Sequence, residues 1–175
     1  MRRLRIPLAA LTLLAAACGA PASDTTTPAG PVTVAVEAVD YGFVGLPDEV
    51  PAGTTLSLRN SSDGEVHELV AIRLPDDESR SVDELVQLPP GELAAFFPGV
   101  TTVLVAPPGE AGVAVEGDGT LREPGRYAVI CVIPTGADPA AYLEAAAASE
   151  GGPPDVPGGP PHIANGMFAE ITVTS

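Results

Sequence analysis

The sequence predicts an all-β fold, an antiparallel Greek-key sandwich of two sheets carrying one short helical insertion. Three observations lead there. Proline (20) and glycine (19) are frequent among 175 residues while aromatic residues make up 4%, a composition of many turns and short elements. Valine-rich runs of apolar–polar alternation recur along the chain between turn clusters. Only "DPAAYLEAAAASE" carries convincing helix signals: Asp138 as N-cap, Pro139 at the first helical position, and an alanine-rich body.

Taken in order, "MRRLRIPLAALTLLAAACGA" is a targeting segment, with Arg2, Arg3 and Arg5 as its charged start and Ile6 to Leu14 as a short apolar run. That run is too short for a transmembrane helix. The pattern "LAAAC" resembles the lipobox of bacterial lipoproteins, so residues 1–17 are expected to be a signal peptide and Cys18 the lipidated N-terminus. The alternative is an ordinary secretory signal that leaves Cys18 as a free thiol. Residues 18–30 read as a flexible tether and 31–175 as the folded domain, held at the outer face of the cytoplasmic membrane by lipid alone. The formal charge is −15; without the three leader arginines it is 5 − 23 = −18. Such a body repels nucleic acid and anionic membrane surfaces.

Within the domain, "VTVAVEAVDYGF", "TLSLRN" and "EVHELVAIRL" read as strands, with "LPDEVPAGT" as a turn between the first two. Pro75 to Ser81 is an acidic loop, and 82–98 fits either a short helix or a crossing between sheets. "GVAVEGDGTLREPGRYAVICVIP" reads as strand, turn and strand with "GDG" as the turn. "GGPPDVPGGPP" is a structureless return, and "MFAEITVTS" the last strand. The acidic clusters "PDDE" and "EGDG" lack calcium-loop spacing and read as solvated turns.

Chemistry enters through an inventory. Beyond the leader and Cys18, the chain holds one cysteine (Cys131), two histidines (His67, His162) and one methionine (Met167). Each alone is ordinary: a buried strand cysteine, a surface histidine, a core methionine. Together they are the donor set of a mononuclear blue-copper site, in which two imidazoles and a thiolate form a plane and a thioether sits axially. Thiolate and thioether favour the cuprous ion, and imidazole suits both oxidation states.

"GRYAVICVIP" followed by "PPHIANGMFAEITV" resembles the C-terminal signature of the plastocyanin and pseudoazurin group of cupredoxins. Gly125 and Tyr127 match the strand before the cysteine ligand, Cys131 that ligand, Pro161–His162 the second histidine, and Gly166–Met167 the axial methionine. Upstream, "VPAGTTLSLRNSSDGEVHELV" is similar to the segment holding the first histidine, with Asn60 before the loop and His67 at its end. The resemblance implies a cupredoxin-like sandwich with one type 1 copper on His67, Cys131, His162 and Met167. It implies a monomer that passes single electrons to a redox partner protein and is not an enzyme. Two features depart from the family. Thirty residues (132–161) separate Cys131 from His162 where the family has a few, making 135–160 an insert with a helix at about 138–149. Its ends flank His162, so it is expected to cover or reshape the docking face. Glu68 also replaces the asparagine that commonly follows the first histidine, which is expected to weaken the bracing of the ligand loops.

Two other readings use the same chain: a metal-free surface lipoprotein acting as a binding or structural module, and a Cu(I) capture or delivery protein. Retention of all four donors speaks against the first. Zinc is disfavoured by affinity order and the thioether. With both histidines in one site, none is left for the second copper of a copper oxidase or nitrite reductase.

Overall fold

A computed structural model describes residues 32–149 and 152–175. The expected signal peptide, Cys18 and the tether lie outside the described residues. Ten strands form two sheets. The four-stranded sheet has the order β2 (Gly42–Val44), β1 (Thr33–Val39), β4 (Thr54–Asn60), β8 (Thr120–Leu121). The six-stranded sheet has the order β3 (Glu49–Pro51), β10 (Phe168–Thr174), β9 (Gly125–Ile130), β5 (His67–Arg73), β6 (Val100–Ala106), β7 (Val113–Glu116). Within it β9–β5–β6–β7 is a Greek-key order: three successive strands, then a fourth that returns beside the first after a detour through β8 of the other sheet.

Alternation decides what each face does. In β4, Thr54, Leu56, Leu58 and Asn60 are buried while Ser57 and Arg59 are exposed, as in a sheet with one wet face. In β5 nearly every residue is buried. Leu69 and Ala71 join the core between the sheets, and Val70 and Ile72 a second core on the outer face. That outer core is roofed by α1 (Val82–Leu85), α2 (Pro90–Leu93) and a 3-10 turn (Ala94–Gly99), so the stretch that sequence left open between helix and crossing is helical. Ser81 and Glu84 start it with a reciprocal capping box.

Several expectations are corrected. The sheets are mixed, because β1 pairs with β4 and β3 with β10 in parallel. The first run is broken at Asp40–Tyr41 into a hairpin, with Tyr41 at φ 63° and Val39 opposite Gly42. "GDG" does not close a hairpin, since β7 and β8 lie in different sheets. Thr102 holds that crossing: its hydroxyl donates to Glu116 O (2.8 Å) and accepts from Gly119 N–H (2.9 Å). The helical insertion is joined by the 82–99 helical segment, and β3 and β6 are strands the sequence pattern did not mark.

The 30-residue excursion after Cys131 is closed by a paired stem. Ile163 N–H donates to Cys131 O (2.9 Å), His162 N–H to Ile133 O (2.9 Å), Thr135 N–H to Pro160 O (3.0 Å) and Gly159 N–H to Thr135 O (2.7 Å). Lengthening the loop from about four residues to thirty costs about 2 kcal/mol of closure entropy. Four hydrogen bonds at about 1 kcal/mol each offset it. Beyond the stem, α3 (Pro139–Ala148) starts at Asp138, whose carboxylate accepts from Ala141 N–H (2.8 Å).

Arg126 and Glu170 tie β9 to β10 through two contacts of 2.7 and 2.9 Å, and Glu170 also accepts from Val82 N–H at the start of α1 (3.2 Å). The Arg126 guanidinium holds the Glu170 carboxyl below its usual 4.5. A depressed carboxyl stabilises the fold above pH 4.5, and that contribution is lost as pH falls through the folded value. Glu170→Gln is therefore expected to cost roughly 1 kcal/mol at pH 7, discounted for its partial exposure. It should cost less at pH 3, as read from urea midpoints at the two pH values.

Candidate metal centre

Three neighbouring antiparallel strands, in the order β10–β9–β5, bring the predicted donors to one end of the sandwich. Val70 lies opposite Ile130, and Ile130 opposite Phe168. One step beyond Ile130 is Cys131; one step before Phe168 is Met167; His67 opens β5. Cys131 N–H donates to Met167 O (3.2 Å), extending the ladder by one rung. His162 opens a 3-10 turn (His162–Asn165) that Gly166 ends at φ 100°, a left-handed position suited to glycine. Met167 N–H donates back to His162 O (3.1 Å).

The side chains converge. His67 Nδ1 lies 3.1 Å from His162 Nδ1, and Cys131 Sγ lies 3.3 Å from His162 Nδ1. The two imidazole rings are tilted, with centroids 4.8 Å apart. His67, Cys131, His162 and Met167 are all 0% exposed, and Met167 shares the inter-sheet core with Cys131. The Nε2 atoms of both histidines are buried without a hydrogen-bond partner among the described residues. Glu65 Oε2 lies 3.4 Å from His162 Nε2, outside hydrogen-bond alignment but on the side where a carboxylate would hold the N–H of a ring whose Nδ1 serves as a ligand.

Electrostatics favour neutral rings and a neutral thiol. Burial, then His162, lowers the His67 pKa to about 4. Burial also lowers that of His162, against the pull of Glu65 and Asp40. The Cys131 thiol is pushed well above its usual range by burial and then by Glu68. Three heteroatoms meet at hydrogen-bonding distance in a fully buried site, with Glu65 beside the distal nitrogen of His162 and no partner within hydrogen-bond reach of that of His67 among the described residues. Their mix of imidazole and thiol, with the buried Met167 paired to Cys131 through its backbone, fits a soft, thiolate-binding metal such as copper.

Asn60 holds the loop that leads to His67. Its side-chain amide donates to Glu65 O (2.8 Å) and Ala106 O (3.0 Å), and its carbonyl accepts from Ser62 N–H (2.8 Å). Glu68 does not leave the ligand loops unbraced. Its Oε1 accepts from Val132 N–H (3.0 Å), its Oε2 accepts from the Tyr142 hydroxyl (3.0 Å), and its own N–H points to Cys131 Sγ (3.5 Å). Burial raises the Glu68 carboxyl pKa, opposed by the bonds from Val132 and Tyr142.

His162 is roofed rather than bare. The half-buried Tyr41 meets it edge-on, with ring centroids 5.3 Å apart. Beside it an open cleft of about 440 Å³ is lined by Asp40, Tyr41, Asp63 and Glu65 among others. The insert reaches this rim through Gly136 N–H, 3.1 Å from each Glu65 carboxylate oxygen. Sequence reasoning missed Tyr41, Glu65 and Tyr142, since only the folded chain brings them to the donors.

No family model matches the chain, and no curated protein sequence is similar to it. Among solved structures it is similar to the dithionite-reduced auracyanin of the photosynthetic bacterium Roseiflexus castenholzii, at 21% identity and a TM-score of 0.46 over 82% of this chain and 98% of that one. Auracyanin A of Chloroflexus aurantiacus, a "blue" copper protein, is similar at 18% identity and a TM-score of 0.44 over 83% and 100%. Auracyanin B aligns at 24% identity and a TM-score of 0.40 over 82% and 88%. Likenesses at these scores do not decide function; the donor set has to. Among the described residues no helix is long and apolar enough to cross a membrane.

Proposed function

We propose that this chain is a cupredoxin-like protein that holds one type 1 copper on His67, Cys131, His162 and Met167 and carries single electrons, catalysing no reaction of its own. The observation that carries the reading is the buried convergence of two imidazole Nδ1 atoms and one thiol, at 3.1 and 3.3 Å, beside a buried methionine. Copper, when bound, supplies a one-electron couple. The chain supplies the frame: His67, Cys131 and Met167 sit at the ends of paired strands, and burial keeps water from the donors. Fully buried side chains in a close-packed core have little room to move when charge changes. Lipid on Cys18 would tether the domain at the outer face of the cytoplasmic membrane, a reading supported by the leader's sequence.

The partner is proposed to be a redox protein with a cationic face. Asp40, Asp63 and Glu65 line one cleft with Tyr41, which packs on His162, and the body is strongly acidic. The double variant Asp40→Asn, Asp63→Asn is expected to slow electron exchange with a small cationic redox protein several-fold at low salt. It should have little effect at 1 M salt, where charges are screened over about 3 Å. Stopped-flow rates at both ionic strengths check this.

The function itself is tested by adding Cu(II) to the protein and recording its visible spectrum beside Cys131→Ser. An intense thiolate-to-copper charge-transfer band that the variant lacks is expected. A folded protein that binds Cu(II) without such a band would overturn the type 1 assignment.

A further inference from the structure

Resting on that reading only for its copper readout, we infer that Tyr142 and Glu68 form a brace through which the insert positions the Cys131 loop, with Tyr142 as a positioning residue. The helix α3 has ten residues, and Tyr142 is its only buried one. That one side chain, 1% exposed, crosses to a residue 74 positions earlier and donates its hydroxyl proton to Glu68 Oε2 at 3.0 Å. The other carboxylate oxygen accepts from Val132 N–H at 3.0 Å, directly after Cys131, and the Glu68 amide points to Cys131 Sγ at 3.5 Å. The insert helix is thus linked to the ligand sulfur through one buried carboxyl.

The geometry makes Glu68 dependent on the insert. Among the described residues Oε2 has one hydrogen bond, from Tyr142. Beside the pair lies a cleft of about 510 Å³ whose lining includes Glu68, Val70, Val132 and Tyr142. Without the tyrosine hydroxyl, a buried oxygen loses its only partner. The carboxyl then has room to turn toward the cleft and water, taking its hold on Val132 with it. An asparagine in place of Glu68 is shorter by one methylene and would not span both Val132 N and Tyr142 Oη. The glutamate and the long insert therefore complement each other, and the two departures of the sequence form one device.

The test is site-resolved amide hydrogen exchange on copper-free protein, comparing Val132 with Val129 within β9. Tyr142→Phe is expected to speed exchange at Val132 about tenfold, the loss of one hydrogen bond's protection, and leave Val129 unchanged. Alkylation of Cys131 should quicken in parallel. A rate at Val132 that stays fixed, or rises only together with Val129, would mean that Tyr142 is core filling and would overturn the brace. A second pair covers a variant that fails to fold. Glu68→Gln keeps an acceptor for Val132 and a partner for Tyr142, so it should preserve slow exchange, whereas Glu68→Ala should not; equal rates in the two would also overturn it. With copper, Tyr142→Phe should shift the charge-transfer band and hasten metal loss to a chelator. If no variant shows a band, the copper reading has failed while the exchange rates still decide the brace.

Discussion

Replacing Asn60 by alanine is expected to cost roughly 3 kcal/mol, because it strands three backbone groups at once, two of them buried and one half-buried. Asn60 is fully buried at the end of β4 and makes three side-chain hydrogen bonds, to Glu65 O, to Ala106 O and from Ser62 N–H. Its amide joins two segments that approach the site separately: the loop that ends in His67 and the end of β6. Water cannot easily replace it, since Val66, His67 and Ala106 beside it are all 0% exposed. The loss should appear as a lower urea midpoint with an unchanged slope, the mark of a changed stability without a changed unfolding surface. Asn60→Asp restores only the acceptor for Ser62 and turns a carboxylate oxygen toward two carbonyls, so it should be no better than alanine. Either variant should also weaken metal binding, because Glu65 and His67 lie on the released loop. A cost below 1 kcal/mol would show that the loop holds its shape without the amide.

The residues that carry chemistry were legible because they are scarce. One cysteine, two histidines and one methionine in the folded part left a single combination to weigh, and strand ends were readable from alternation around them. The outer roof of the six-stranded sheet was harder. Strand β5 is buried on both faces, so "HELVAIR" says nothing about what covers its second face, and 82–98 carries too little periodicity to supply the answer. The "GDG" turn misled for a related reason. Turn chemistry reports a local reversal, and Gly117 and Gly119 do adopt positive φ, but only long-range pairing decides which sheet the next strand joins. Glu68 shows the limit most clearly. As a sequence difference it reads as a lost brace; its compensation, Tyr142, is 74 residues away in a segment with no family pattern.

Copper is expected to stabilise the folded protein by about 4 kcal/mol when present at a thousandfold excess over its dissociation constant, since the unfolded chain scatters the four donors. For a domain of this size that corresponds to a rise of roughly 10 °C in Tm. The two imidazole nitrogens 3.1 Å apart and the sulfur at 3.3 Å are already gathered by the fold, so little ordering would be left for a metal to impose. With its pKa lowered to about 4, the His67 ring is neutral at pH 7. Cys131→Ser should remove most of the gain. Met167→Leu should keep most of it, because a thioether would be a weak ligand and leucine conserves its buried volume. Zinc uses the same imidazoles and thiolate but has little use for the thioether and follows copper in affinity. It should therefore raise Tm less at equal excess, and calorimetry with each metal reads the difference directly. If zinc stabilised more than copper, and Met167→Leu changed neither, the donor set would be a structural zinc clip, and electron carriage would have to be abandoned for this chain.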